Sequence, residues 1–224
     1  MVINNSVVLI TSASTNLGPT MACHFAHLGA RVILCDTDAQ QLAIAYDKCC
    51  EVSSNVEQKL IPDTSCQTID ALFFSIQQEY GCFPDVLVNN WSALRLNPLA
   101  NGTTCEAFIS KYSQLASSLL MFGQVAANKM RERRSGVIVN IASQEPEYRN
   151  CDLENTSSLV TGFTKSWALE LKPFNVRVGG VVPIRSDQFC SASHWNEIQQ
   201  ELIRNTEYII SNDYFSGRVV STQL

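Results

Sequence analysis

Residues 7–18, Val7-Val8-Leu9-Ile10-Thr11-Ser12-Ala13-Ser14-Thr15-Asn16-Leu17-Gly18, lead through a helix-length segment, 19–29, into Ala30-Arg31-Val32-Ile33-Leu34-Cys35-Asp36. An unbroken apolar run bounded by small turn-forming residues marks a strand buried on both faces. A second strand parallel to the first needs a crossover between them, and residues 19–29 have a helix's length. The loop before that helix aims backbone N–H groups, and the helix's positive end, at whatever binds there. Asp36, at the tip of the second strand, is placed to accept from a ribose diol. This spacing is that of a dinucleotide half-site.

The same stretch resembles the Thr-Gly-x-x-x-Gly-x-Gly fingerprint of the short-chain dehydrogenase/reductase family, with Thr11 and the last glycine, Gly18, in place. Ser12 and Asn16 stand where the first two glycines should be. Glycine serves there for positive φ and for close approach to a pyrophosphate. Asn tolerates left-handed geometry better than most residues, so Asn16 is the easier replacement to accommodate and Ser12 the harder. The resemblance makes Thr11, Ser12, Ser14, Asn16, Leu17 and Gly18 the cofactor-binding loop, with Asp36 on the ribose. The charge of Asp36 favours NAD over NADP by repelling a 2′-phosphate. An αβ unit that has stopped gripping phosphate is the competing reading.

A chain of 224 residues is long enough for one doubly wound α/β domain, read as spanning 1–224. Its net charge of −5, with no basic run, argues against nucleic acid as a partner. The first apolar run lacks a basic flank and a cleavage signature, so it reads as a strand and not a signal peptide. No stretch approaches the length of a membrane span. Nine cysteines are scattered singly apart from Cys49-Cys50, which fits free thiols in a reducing cytosol and a cytoplasmic location. His24 and His27 share a helix face, but no third ligand is evident and no metal is expected.

Further along, residues 38–50 read as a helix opened by acidic residues, and Leu60-Ile61-Pro62-Asp63 ends a third strand. The resemblance lays Asp63 against the adenine ring; a solvated turn aspartate is the alternative. Residues 69–80 form an amphipathic helix through Ile69, Leu72, Phe73 and Ile76, closed by Gly81. Residues 84–92 resemble the family's fourth strand with its Asn-Asn-Ala-Gly signature, of which Asn89 and Asn90 survive and tie the central strands together. Trp91 stands where the family has a small residue near the cofactor's ribose. Its ring either turns into the core or plugs the cofactor cleft, and both readings stay open.

A long helix over 103–134 precedes Gly136-Val137-Ile138-Val139-Asn140-Ile141-Ala142-Ser143, which resembles the fifth strand ending in the family's catalytic serine. Residues 162–171, 175–178 and 181–183 match the family closely and in order. Counting back from Phe163-Thr164, the family's catalytic Tyr-x-x-x-Lys pair falls on Leu153 and Ser157, and counting back from Met130 along the long helix, its catalytic Asn falls on Leu115. In the family the Tyr hydroxyl exchanges the carbonyl's proton, with its pKa lowered by the Lys one turn later. Leucine cannot exchange a proton, and serine is no cation. Tyr148, on a loop over 144–152, is the nearby replacement acid, though without a partner cation its pKa stays near about 10. Lys165 does not supply that cation, because it lies about 80° round the helix from position 157. Pro183 ends the sixth strand near the nicotinamide, followed by Ile184 where the family has glycine. A helix over 195–213 and a closing strand within 214–220 complete the chain, with a lid region shorter than the family's.

These observations predict a Rossmann-type, doubly wound, mostly parallel seven-stranded sheet in three α/β/α layers. Function is argued from the site. The first reading is a catalytically impaired or non-catalytic oxidoreductase-family protein, a pseudoenzyme keeping a nucleotide cleft for sensing. The second is an active reductase using Ser143 with Tyr148. The third is a partner subunit of an active homologue. The resemblance implies a homodimer or homotetramer through the helices at 103–134 and 154–172, or a heteromer through the same surfaces.

Overall fold

Val7–Thr11 (β1) and Arg31–Asp36 (β2) lie parallel and in register, Val7 beside Arg31 and Thr11 beside Cys35, with Leu17–His27 (α1) crossing between them. The computed structural model describes residues 1–51, 53–92, 105–143, 150–183 and 192–222. The remaining elements are Ala39–Cys50 (α2), Val56–Leu60 (β3), Cys66–Tyr80 (α3), Val86–Ser92 (β4), Cys105–Arg133 (α4) and Gly136–Ser143 (β5). They are followed by Asn150–Leu171 (α5), a 3-10 turn at Lys172–Phe174, Val176–Pro183 (β6), Ala192–Ser211 (α6) and Val219–Thr222 (β7). The sheet has seven strands in the order β3-β2-β1-β4-β5-β6-β7. Every neighbouring pair is parallel, so the sheet is wholly rather than mostly parallel among the described residues.

The apolar runs do not alternate with polar residues because each face of the sheet carries helices. Val8 and Ile10 point into a core with Leu17, Met21 and Phe25 of α1 and Leu202 and Ile209 of α6. Val7 and Leu9 point the other way, into a core with Ile69, Phe73 and Ile76 of α3 and Phe122 and Ala126 of α4. Fully burying each such side chain contributes about 1.5–3 kcal/mol, so the two cores dominate the stability of the layers. Between α4 and α5 the helices approach closely at Gly123: a Cβ there would lie 2.3 Å from the Trp167 ring.

Element ends follow local capping more closely than apolar periodicity. Asp38 accepts from the Gln40 and Gln41 amides and starts α2 where the acidic residues predict it. Helix α3 begins three residues before Ile69, because the Ser65 hydroxyl caps it by accepting from the Thr68 amide. Gly81, at φ 75°, closes that helix as expected. Helix α5 already begins at Asn150, inside the stretch read as a loop over 144–152. The closing strand starts at Val219, later than expected; Gly217, at φ 71°, donates its N–H to the Val178 carbonyl and turns the chain into it. Tyr148 and Ile184 lie outside the described residues.

Candidate functional site

The carboxyl ends of β1, β2, β4, β5 and β6 meet along one edge of the sheet, where ligands of open α/β sheets bind. Thr11 ends β1, and its hydroxyl donates to Asn89 Oδ1 at 3.2 Å while accepting from the Asn90 amide at 3.2 Å. Asn89 also donates to the Leu119 carbonyl of α4 at 3.2 Å. Asn90 donates through Nδ2 to the Ser12 carbonyl at 3.1 Å and to the Thr15 hydroxyl at 2.8 Å. The two asparagines therefore bind β4 to β1, to α4 and to the loop. Thr15 has no motif of its own in the sequence; its place between two replaced glycines, Ser12 and Asn16, is the one signal that points to it.

The loop takes its left-handed residue at Ser12, φ 46°, the first of the two positions where glycine is missing. Asn16 is right-handed, at φ −57° and ψ −29°, so its tolerance of left-handed geometry is not used. The expectation about Asn16 is thus corrected, and the cost falls on Ser12, about 1–2 kcal/mol for an L-residue in this region. Three donors into the Ser12 carbonyl, Asn90 Nδ2, the Thr15 hydroxyl and the Thr15 amide, hold that conformation. Gly18 is required for space alone: a Cβ there would lie 2.1 Å from the Ala13 carbonyl oxygen. Leu17 and Gly18 are both buried at the start of α1, whose first turn carries no acidic residue.

Asp36, at the tip of β2, is half-buried and engaged on both carboxylate oxygens. Oδ2 accepts from the Ser14 amide at 3.0 Å and the Ser14 hydroxyl at 2.6 Å. Oδ1 accepts from the Thr37 amide at 2.7 Å and the Asp38 amide at 3.3 Å. Burial pushes the neighbouring Cys35 thiol far up, and the Asp36 charge adds to it, so Cys35 stays protonated. Asp63 is exposed before α3 and accepts from the Ser65 amide at 2.8 Å. Bonds from the Ser65 and Thr68 hydroxyls hold its carboxyl below the usual range.

At the other end of the edge, Ser143 is 2% exposed and donates its hydroxyl proton to the Trp91 carbonyl at 3.1 Å. Trp91 is 3% exposed and turns into a core formed with Leu119, Ala142, Val160 and Val182. Its ring lies 6.4 Å from that of Phe163 at 48°, and Phe163 lies 5.3 Å from Trp167. Pro183 ends β6, buried, beside Thr222 of β7. Positions 153 and 157 fall one turn apart on α5, and position 115 on α4. The Ser157 hydroxyl is buried without a hydrogen-bond partner, as is Asn90 Oδ1.

His24 pairs with Glu207 at 2.7 Å, joining α1 to α6. A cavity of about 490 Å³ lies apart from this edge, between α3 and α4, with Cys66, Asp70, Lys129 and Arg131 in its lining. No described helix is long and apolar enough to cross a membrane.

A family model described as short chain dehydrogenase matches residues 6–195. Galactitol 2-dehydrogenase of Agrobacterium fabrum is 28% identical over 202 residues, covering 88% of this chain and 75% of that protein. Among solved structures, a short chain dehydrogenase from Mycobacterium smegmatis superposes with a TM-score of 0.81 at 26% identity, covering 100% of this chain and 93% of the other. A 3-ketoacyl-(acyl-carrier-protein) reductase from Brucella melitensis, complexed with NADH, superposes with a TM-score of 0.80 at 21% identity, covering 98% of this chain and 97% of the other.

Proposed function

Because the chain belongs to the short-chain dehydrogenase family, we propose that it keeps the adenosine half of an NAD site and has lost carbonyl reduction. The residues present suit the adenosine end of a dinucleotide. The positive end of α1 suits a pyrophosphate, with the Leu17 N–H as its donor because the Gly18 N–H is held by the Thr15 carbonyl at 3.1 Å and Pro19 has none; Gly18 keeps that turn close to the loop, and Asp36 offers a carboxylate to a ribose diol. Asn90 Oδ1, a buried acceptor without a partner, stands on the same loop side of β4. A free 2′,3′-diol suits Asp36 and a 2′-phosphate does not, which favours NAD over NADP.

A nicotinamide supplies or accepts the hydride, and the protein must then move a proton on the substrate oxygen. Here the reading rests on α5, where Leu153 offers no proton and Ser157 no cation. Ser143 is buried, and its own proton is held by the Trp91 carbonyl. Losing a general acid removes roughly 10²–10⁴-fold in rate, and losing the cation beside it lowers the remainder. Assayed with NADH and NADPH against a panel of ketones and aldehydes, the purified protein should turn over at least about 10²–10⁴-fold more slowly than ordinary dehydrogenases. Calorimetry should show NAD binding in the same preparation. Turnover at ordinary dehydrogenase rates overturns the reading, and a protein that binds no dinucleotide at millimolar concentration removes its nucleotide half.

A self-assembly role has support from exposure. Ile109 and Leu120 on α4 and Leu169 on α5 are large apolar side chains in solvent, Leu169 at 77%. We assign these helices to a homodimer or homotetramer contact, with a catalytic homologue as the alternative partner. Sedimentation of the purified chain should give a dimer or larger, and Leu169→Glu should shift it toward monomer. A wild-type monomer at micromolar concentration removes the homo-oligomer.

A further inference from the structure

Asp36 already receives four hydrogen bonds, which is as many as a carboxylate's lone-pair sites hold. The two on Oδ1 come from Thr37 and Asp38, the residues that follow it in the chain. Those donors move with Asp36 whatever else binds. The two on Oδ2 come from Ser14, on the loop between β1 and α1, twenty-two residues away. They cross from the loop to the tip of β2, the space that a ribose bound to Asp36 has to share. The Ser14 hydroxyl makes the shortest of the four bonds, at 2.6 Å, and it is the single side-chain donor among them.

We propose that Ser14 is a built-in competitor for Asp36, setting how tightly this chain takes a nucleotide with a free 2′,3′-diol. The inference rests on the nucleotide site proposed above and concerns its regulation. Two diol hydroxyls arriving at a carboxylate with four donors must displace at least one. The backbone donors are fixed by the fold. The Ser14 hydroxyl leaves by a rotation about one side-chain bond, and Ser14 is half-buried, so water can take it up. Binding therefore exchanges a charge-assisted hydrogen bond for another of the same kind, and the gain from Asp36 is cut. The consequence is opposite to that of an ordinary contact residue: removing the hydroxyl strengthens binding. It does so only for ligands whose diol uses the vacated oxygen. A 2′-phosphorylated nucleotide cannot, because Asp36 repels its phosphate with or without Ser14.

Calorimetric titration of wild type, Ser14→Ala, Ser14→Gly and Ser14→Thr with NAD, ADP-ribose and NADP tests this. Both hydroxyl-free variants should bind NAD and ADP-ribose about tenfold more tightly than wild type. Neither should gain for NADP, and Ser14→Thr, which restores a hydroxyl at this position, should lose the gain that Ser14→Ala shows. Two hydroxyl-free variants guard against one being poorly folded, and circular dichroism checks each. If wild type binds NAD and neither variant binds more tightly, the competitor role is overturned while the nucleotide site stands. A gain of equal size for NADP also overturns it, because it would report a loosened loop and not a freed diol site. Absence of nucleotide binding in every variant overturns the role and the site together.

Discussion

Gly18→Ala should destabilise the protein by about 2–3 kcal/mol and abolish nucleotide binding. A Cβ on Gly18 would lie 2.1 Å from the Ala13 oxygen, 2.7 Å from its carbonyl carbon and 2.8 Å from its Cα. All three are backbone atoms, so no side chain can swing aside. Ala13 is itself anchored, donating its N–H to the Cys35 carbonyl at 3.2 Å. Moving it away from α1 would pull on the end of β2, beside Asp36. The clash therefore reaches both parts of the proposed site: the first turn of α1 shifts, and the loop shifts against the carboxylate. For a chain of this size, a few kcal/mol lowers the melting temperature by about 4–12 °C. Differential scanning calorimetry checks the stability, and titration with NAD checks the site. A variant that melts like wild type would mean that the loop relaxes freely, and the closeness of α1 to Ala13 would then carry no constraint.

The family fingerprint explains why Gly18 was legible while its neighbours were not. A missing side chain at the helix start is a steric requirement, and it shows in sequence as a retained glycine. The layers were legible for a similar reason: strands such as Val7–Thr11 and Gly136–Ser143 are apolar on both faces, which implies helices on both sides. What the sequence could not settle was direction and partnership. Serine at position 12 reads as a damaged glycine, yet its left-handed geometry is held by Asn90 and Thr15, which are remote or unremarkable in the sequence. Asp36 reads as a ribose ligand, but its engagement by Ser14 depends on the loop between β1 and α1 reaching the tip of the neighbouring strand β2. Apolar periodicity starts α3 late, at Ile69, because its first turn, from Cys66, is polar and announced only by Ser65. For Trp91, a strand-end residue can point to either side of the sheet, and the choice depends on whether α4 and α5 leave room for a ring.

They do leave room, and this makes Trp91→Ala the substitution with the largest expected loss of stability, about 3–5 kcal/mol. The ring is 3% exposed among Leu119, Val160, Phe163 and Val182, so its removal opens a cavity that residues on three different elements would have to close. The effect would be one of packing alone. Ser143 bonds to the backbone carbonyl of Trp91, and alanine supplies the same carbonyl. The melting temperature should fall by about 6–20 °C, with the urea midpoint falling in step. Trp91→Phe should lose less, since a smaller ring still meets Phe163. Alanine also restores a small residue where the resembling family has one, which makes the variant a test of function. If the bulk of Trp91 alone suppressed chemistry, Trp91→Ala would gain turnover with NADH. We expect none, because Leu153 and Ser157 still lack a proton and a cation, and opening space beside Ser143 supplies neither.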